Sequence, residues 1–194
     1  MGGPSTAAIA ALCPSLNAFE TPFLFSDYDT ARSTLNGEAG QALLDSMASA
    51  GLKGLGYFEN GFRNLTCNKE INTLADLKGI KLRVPTVSQY VSNFQALGAS
   101  VVTMPMTEIF TALQQGTIEG QENPPSTLLA NGWYEVQKYL AMTDHQIAMN
   151  FVLINDSFYN SMSAEDQAVL DEACAAFVEK QLELYKVAMV EDVK

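Results

Sequence analysis

Arginines beside strand ends are the first residues here that can do chemistry. A guanidinium is permanently charged and presents a planar fork of donors that matches a carboxylate or a phosphate. Arg83 stands in the segment IKLRVP, residues 80–85. It reads either as an anchor for a ligand anion or as half of a structural ion pair with Glu122 or Asp76. Arg63, in ENGFR at 59–63, reads either as a second ligand contact or as a surface residue beyond a turn. The segment GQEN at 120–123 adds Gln121, Glu122 and Asn123. Amides both donate and accept, so Gln121 and Asn123 can read a carboxylate or a hydroxyl. Asn123 can equally serve the turn before Pro124 and Pro125, and Glu122 can orient Arg83 instead of touching a ligand. Tyr90, Met106 and the single histidine, His145, complete the ligand-side set. His145 beside Asp144 invites a catalytic reading, but no G-x-S-x-G turn accompanies it, so no catalytic residue is assigned.

These residues need elements to position them. Ile80, Leu82 and Val84 alternate with Lys81 and Arg83, the period-two pattern of a strand, and Pro85 lacks the N–H that would extend it. A short helix over 74–78, capped by Asn72 or Thr73 and stopped by Gly79, feeds that strand. Helix 88–97, strand 101–104, helix 108–115 and strand 117–122 follow, the signature of a parallel βαβαβ unit. Parallel strands put their C-terminal ends on one edge, where ligands bind in open α/β sheets, so Arg83, the 104–107 segment and Gln121 to Asn123 should converge.

Upstream, Asp27 or Asp29 caps a helix through Leu35, Glu38 to Ala50 forms another, and 52–58 forms a strand followed by a turn at Glu59, Asn60 and Gly61. Arg63 therefore falls past that strand's end. Downstream, 133–140 reads as a helix and 151–154 as a strand. Ser163 with Asp166 opens a helix to the end of the chain, with Leu170, Ala173, Phe177, Gln181, Leu184 and Ala188 on one stripe. Its length suggests an element bridging two lobes. Met142, Met149 and Met189 are core candidates, and Trp133 and Tyr134 either pack or border a cleft.

With 194 residues the chain can bury a sizeable core as one domain or two small lobes. A net charge of −11 argues against nucleic acid and anionic membranes, and makes any anion site a local one. Cys13, Cys67 and Cys174 have no metal-ligand spacing, so no metal or cofactor is expected; a Cys13–Cys67 disulfide is left open. No G-x-G-x-x-G or phosphate-binding loop occurs, and no apolar run is long enough for direct membrane insertion.

The segments PFLF (22–25), ENGFR (59–63), DLKGIKLRVP (76–85), ALGASVVTMP (96–105), GQENP (120–124) and EVQKYL (135–140) resemble, in order, the solute-binding subunits of TRAP transporters, the DctP-like family. The resemblance implies a two-lobed α/β periplasmic-binding-protein fold, truncated here, with parallel βαβ units, crossing strands and a long C-terminal helix. Residues 1–60 would be part of lobe I, 61–148 the anchoring lobe II, and 149–194 a crossing strand and helix linking back to lobe I. It also implies capture of a small organic anion, a C4-dicarboxylate, keto acid or sugar acid, with no chemistry. Arg83 would pair with the ligand carboxylate, with Arg63 and Asn123 also facing the ligand. Met106 departs from the aromatic residue often found after the MP of the third segment and gives an adaptable apolar wall. The partners implied are the membrane subunits of a TRAP transporter and the location is periplasmic. Family members carry a signal sequence, a first βα segment and further C-terminal elements, so the chain is expected to be a fragment. A sensory ectodomain is the alternative reading, and an acyl-handling enzyme a weaker one.

Overall fold

The computed structural model describes the backbone of residues 1–192 and side chains as far as Ala188. Val193, Lys194 and the side chain of Met189 lie outside the described residues. The chain divides into two compact units. Met1–Phe19, Leu24–Asn60 and the chain from Ala148 onward form the first, and Glu20–Phe23 with Gly61–Ile147 form the second.

The first unit begins with α1 (Thr6–Ile9), α2 (Tyr28–Leu35) and α3 (Glu38–Ser46). Asp27 caps α2 by accepting the Thr30 N–H at 2.7 Å. Strand β1 then runs Leu52–Cys67, past the turn expected at Glu59, Asn60 and Gly61. Partners distant in sequence override those turn residues. Arg32 donates to both Glu59 carboxylate oxygens at 2.5 and 2.9 Å, and the Gln181 amide bonds the Glu59 N–H and C=O at 3.1 and 2.8 Å. Arg63 is consequently inside a strand and not beyond one.

In the second unit β2 (Lys81–Val84), α4 (Ser88–Ala96), β3 (Ser100–Thr103), α5 (Ile109–Gln114) and β4 (Gly120–Asn123) form the expected βαβαβ unit. β2 is parallel to both β3 and β4, and Arg83 is level with Val102 on one side and Gln121 on the other. β1 lies antiparallel to β4, with Asn64 opposite Asn123 and Leu65 opposite Glu122, and the sheet order is β3-β2-β4-β1-β5. The helix before β2 is a 3-10 turn, Leu74–Leu77, closed by a Thr73–Asp76 capping box. Asp76 accepts the Thr73 and Asn72 N–H groups at 2.8 and 3.1 Å, and so is spent on its cap and not on Arg83.

After α6 (Pro125–Ala130) the helix expected over 133–140 is absent. Gly132, at φ 66, turns the chain into a 3-10 helix, Trp133–Glu135. This drives Trp133 into a cluster with Ile109, Leu113, Ile118 and Leu128, so Trp133 is core and borders no cleft. The chain then extends as β5 (Tyr139–Asn155), whose backbone pairs with β1; Met142 is exposed on it and Met149 buried.

α7 (Asp156–Ser161) and α8 (Ala164–Asp192) close the described chain. The Ser163 hydroxyl accepts the Asp166 N–H at 3.1 Å and donates to its carboxylate at 2.7 Å, as the capping pattern requires. α8 belongs to the first unit. Leu170 and Gln181 of the expected stripe are on its packed side, together with Cys174, Val178 and Tyr185 in place of Ala173, Phe177, Leu184 and Ala188. Phe177 and Leu184 are thereby left exposed. All three cysteines are free thiols, and among the described residues no helix is long and apolar enough to cross a membrane.

Gly120 is where β4 meets β1 most tightly. A Cβ there would lie 2.4 Å from the Thr66 carbonyl oxygen, a backbone atom of the paired strand. Gly120→Ala is expected to cost at least about 2 kcal/mol by forcing the strands apart. Urea unfolding measures it, and an unchanged midpoint would show that the strands can yield.

Candidate functional site

The sheet register of the second unit brings Arg63 and Glu122 together. Leu65 faces Glu122 across the antiparallel β1/β4 pair, so Arg63, two residues along β1, is its diagonal neighbour on the same face. Arg63 Nε donates to Glu122 Oε2 at 2.5 Å, and Nη2 donates to Oε1 at 2.8 Å, to the Glu122 main-chain oxygen at 2.8 Å and to Asn123 Oδ1 at 3.1 Å. The Tyr90 ring packs over this guanidinium, 5.3 Å from its carbon. Arginine and glutamate are both buried. Burial alone would favour their neutral forms, but each outweighs that for the other: the Arg63 pKa is raised and the Glu122 pKa lowered.

His145 joins at the far side of the carboxylate. Its Nε2 lies 3.3 Å from Glu122 Oε2, its Nδ1 lies 2.8 Å from the Thr143 hydroxyl, and Phe94 stands edge-on to the ring. Asp144 is not its partner. Asp144 adopts φ 43 and is held there by Asn64, which accepts its N–H at 2.8 Å and donates to its carboxylate at 3.0 Å. Along β4, Asn123 donates to Gln121 at 2.7 Å, and Gln121 donates to the Thr66 hydroxyl at 2.8 Å.

Arg83 is different. Its Nε and Nη2 donate to one main-chain oxygen, that of Met104, at 3.0 and 2.6 Å. Only 5% of the residue is exposed, and among the described residues no carboxylate pairs with it. Burial pulls its pKa down to about 10, Glu122 opposes that fall and Arg63 adds to it. The side chain is thus a charged, desolvated fork at neutral pH with a neutral partner only. The ion pair between Arg83 and Glu122 that the sequence left open does not form, because Arg63 takes Glu122, and Glu122 does not orient Arg83.

Of the candidate residues, the structure connects Arg63, Gln121, Glu122, Asn123, Tyr90 and His145, with Arg83 beside them. Met106 opens a 3-10 turn, Met106–Glu108, and is half exposed with no polar tie. Sequence reasoning missed Gln146 and Glu20. Gln146 donates to the Tyr90 hydroxyl at 2.6 Å and to a carboxylate oxygen of Glu20. Their signal was available as polar residues inside the apolar runs 18–25 and 145–154.

The model of the bacterial extracellular solute-binding protein family 7, DctP, matches residues 1–193. The chain belongs to this family. It is 38% identical over 162 residues to the 2,3-diketo-L-gulonate-binding periplasmic protein YiaO of Escherichia coli, covering 83% of this chain and 49% of that protein. The sugar acid binding protein DctPAm of Advenella mimigardefordensis, solved with galactonate, is 39% identical with a TM-score of 0.94, over 99% of this chain and 62% of that one. A TRAP periplasmic solute-binding protein of Shewanella oneidensis, solved with succinate, is 35% identical with a TM-score of 0.93, over 98% of this chain and 62% of that one. The two-lobed, mixed α/β fold of the family is thus the fold expected from the segments. The family-7 chain spans about half the length of the curated relatives it matches.

The buried pair makes this unit acid-sensitive. Glu122 has a folded pKa below its ordinary value of 4.5, so the unfolded state binds more protons between the two values. Its stabilisation is full above about pH 4.5 and is lost as pH falls through the depressed value. Glu122→Gln, which leaves the Arg63 charge uncompensated, is expected to cost about 3–5 kcal/mol at neutral pH and to flatten the acid limb. Urea unfolding of both proteins from about pH 3 to 7 measures this, and parallel pH profiles would overturn it.

Proposed function

We propose that this chain carries the anion-anchoring part of an extracytoplasmic receptor for a small organic acid, with Arg83 pairing the ligand carboxylate. The observation that carries the reading is the Arg83 fork itself: buried, charged and, among the described residues, tied only to the Met104 carbonyl, while Glu122 is consumed by Arg63. A carboxylate arriving there supplies the counter-charge and acceptors that burial has denied the guanidinium. The relatives' names support binding without chemistry, and we assign no enzymatic activity. They also support a periplasmic location and transfer of the bound acid to the membrane subunits of a TRAP-type transporter.

Calorimetric titration with galactonate, 2,3-diketo-L-gulonate and succinate tests the reading. Arg83→Ala is expected to lose about 10²- to 10³-fold in affinity for whichever acid binds, the equivalent of breaking a buried charge pair. Arg83→Lys should lose at least about tenfold, because an ammonium cannot reproduce the fork. Near-normal affinity in Arg83→Lys, with an unchanged melting point, would remove Arg83 as the anchor.

A further inference from the structure

β5 is an edge strand of the sheet, and its residues 139–147 belong to the second unit. One side of this stretch is taken by β1 and the residue after it: Asn68 accepts the Lys138 N–H at 3.2 Å, and Asn64 holds Asp144. Phe23, which lies in no strand, donates its N–H to the His145 carbonyl at 2.8 Å. Ahead of His145, among the described residues, no strand lies beyond β5. An open edge presents unpaired N–H and C=O groups, which soluble proteins usually blunt with charge, proline or a covering element. Residues 139–143, YLAMT, contain neither a charge nor a proline, and Tyr139, Leu140 and Met142 are exposed. Successive side chains of a strand point to opposite faces, so this edge is apolar and wet on both.

The segment is complementary to itself. Laid antiparallel to a second copy about Ala141, it sets Leu140 opposite Met142, Tyr139 opposite Thr143 and Lys138 opposite Asp144, each pair occurring twice. Directly opposed residues share a face, so apolar meets apolar and the ammonium meets the carboxylate. A slide of two residues either way sets Lys138 against Met142 or Asp144 against Leu140 instead. Lys138 and Asp144 make no ion pair with each other or with another side chain among the described residues. The window 138–144 is also neutral, whereas the chain carries −11, so two acidic copies meet least repulsion there. Asp144, at φ 43, ends the regular stretch and confines the pairing to residues 139–143 with an ion pair at each end.

We infer that residues 139–143 of β5 are a self-association surface, on which a second copy of this chain adds its own β5 edge antiparallel about a two-fold axis at Ala141. Such an isologous contact closes on itself and stops at the dimer. Pairing of β5 with β3, the opposite edge, would be heterologous and would run on into open assemblies. The surface is small, so the dimer is a weak one, with a Kd of about 10⁻⁵–10⁻⁴ M. The inference is independent of the role of Arg83.

Sedimentation velocity of the chain from about 1 μM to about 1 mM should show monomers giving way to dimers. Met142→Lys, at an exposed side chain, sets an ammonium against Leu140 and should raise the dissociation constant about tenfold or more. Lys138→Asp sets carboxylate against carboxylate and should weaken the dimer in the same direction. Ala141→Cys reads the register. Opposed Cα atoms lie about 4.5–5.5 Å apart, within disulfide reach, so mild oxidation should link this variant into covalent dimers. Leu140→Cys, and the unsubstituted chain with its three buried thiols, should stay largely unlinked. Circular dichroism of every variant at about 1 μM, well below the expected Kd, separates a lost interface from a lost fold. A monomer throughout the range, species growing beyond the dimer, or linkage of Leu140→Cys in preference to Ala141→Cys would overturn the inference.

Discussion

The pairing of Arg63 with Glu122 is the contact on which the rest of the second unit depends. It fastens β1 to β4, an antiparallel junction beside the parallel β3-β2-β4 set. It is buried, so its Coulombic gain must first offset the cost of removing two charges from water. The geometry meets that cost with a two-pronged contact, a further bond to the Glu122 main chain, one to Asn123, and an aromatic face over the cation. The pair also has a negative consequence. By claiming Glu122, it leaves Arg83 without a carboxylate partner among the described residues. Two chemically identical side chains are thus left with different partners, a carboxylate for Arg63 and a main-chain carbonyl for Arg83.

Much of this arrangement was legible in the chain. Residues 72–123 read correctly as alternating short helices and strands because their signals are local: a capping box at Thr73 and Asp76, period-two alternation before Pro85, and Gly98 at φ 93 after α4. Arg83 could be found from those signals, since a strand end and an arginine in it require nothing else. The identity of the Glu122 partner could not. Arg63 and Glu122 are 59 positions apart, and only the antiparallel register, absent from any periodicity, makes them neighbours. The same holds for ENG at 59–61, whose turn composition yields to Arg32 and Gln181, and for Trp133, whose helical context yields to a cluster gathered from α5, α6 and the segment between α5 and β4. On α8 Leu170 and Gln181 of the stripe were read correctly, while Cys174, Val178 and Tyr185 pack where Ala173, Phe177 and Leu184 were expected. Glu20 is the extreme case. A single acid in an apolar run carries no indication of which buried amide will receive it.

The support of Arg83 is a backbone carbonyl. Substitution of the Met104 side chain leaves that oxygen in place, so sequence drift at position 104 cannot readily remove what holds the fork. Other polar or polarisable groups of the second unit are side chains: a phenol at 90, a thioether at 106 and an amide at 146. Each can change by a single substitution without disturbing the main-chain tie. On the proposed reading, the architecture separates a fixed element of recognition from replaceable ones, an arrangement in which a lineage could exchange one acid for another in its diet while the means of gripping acids is inherited intact.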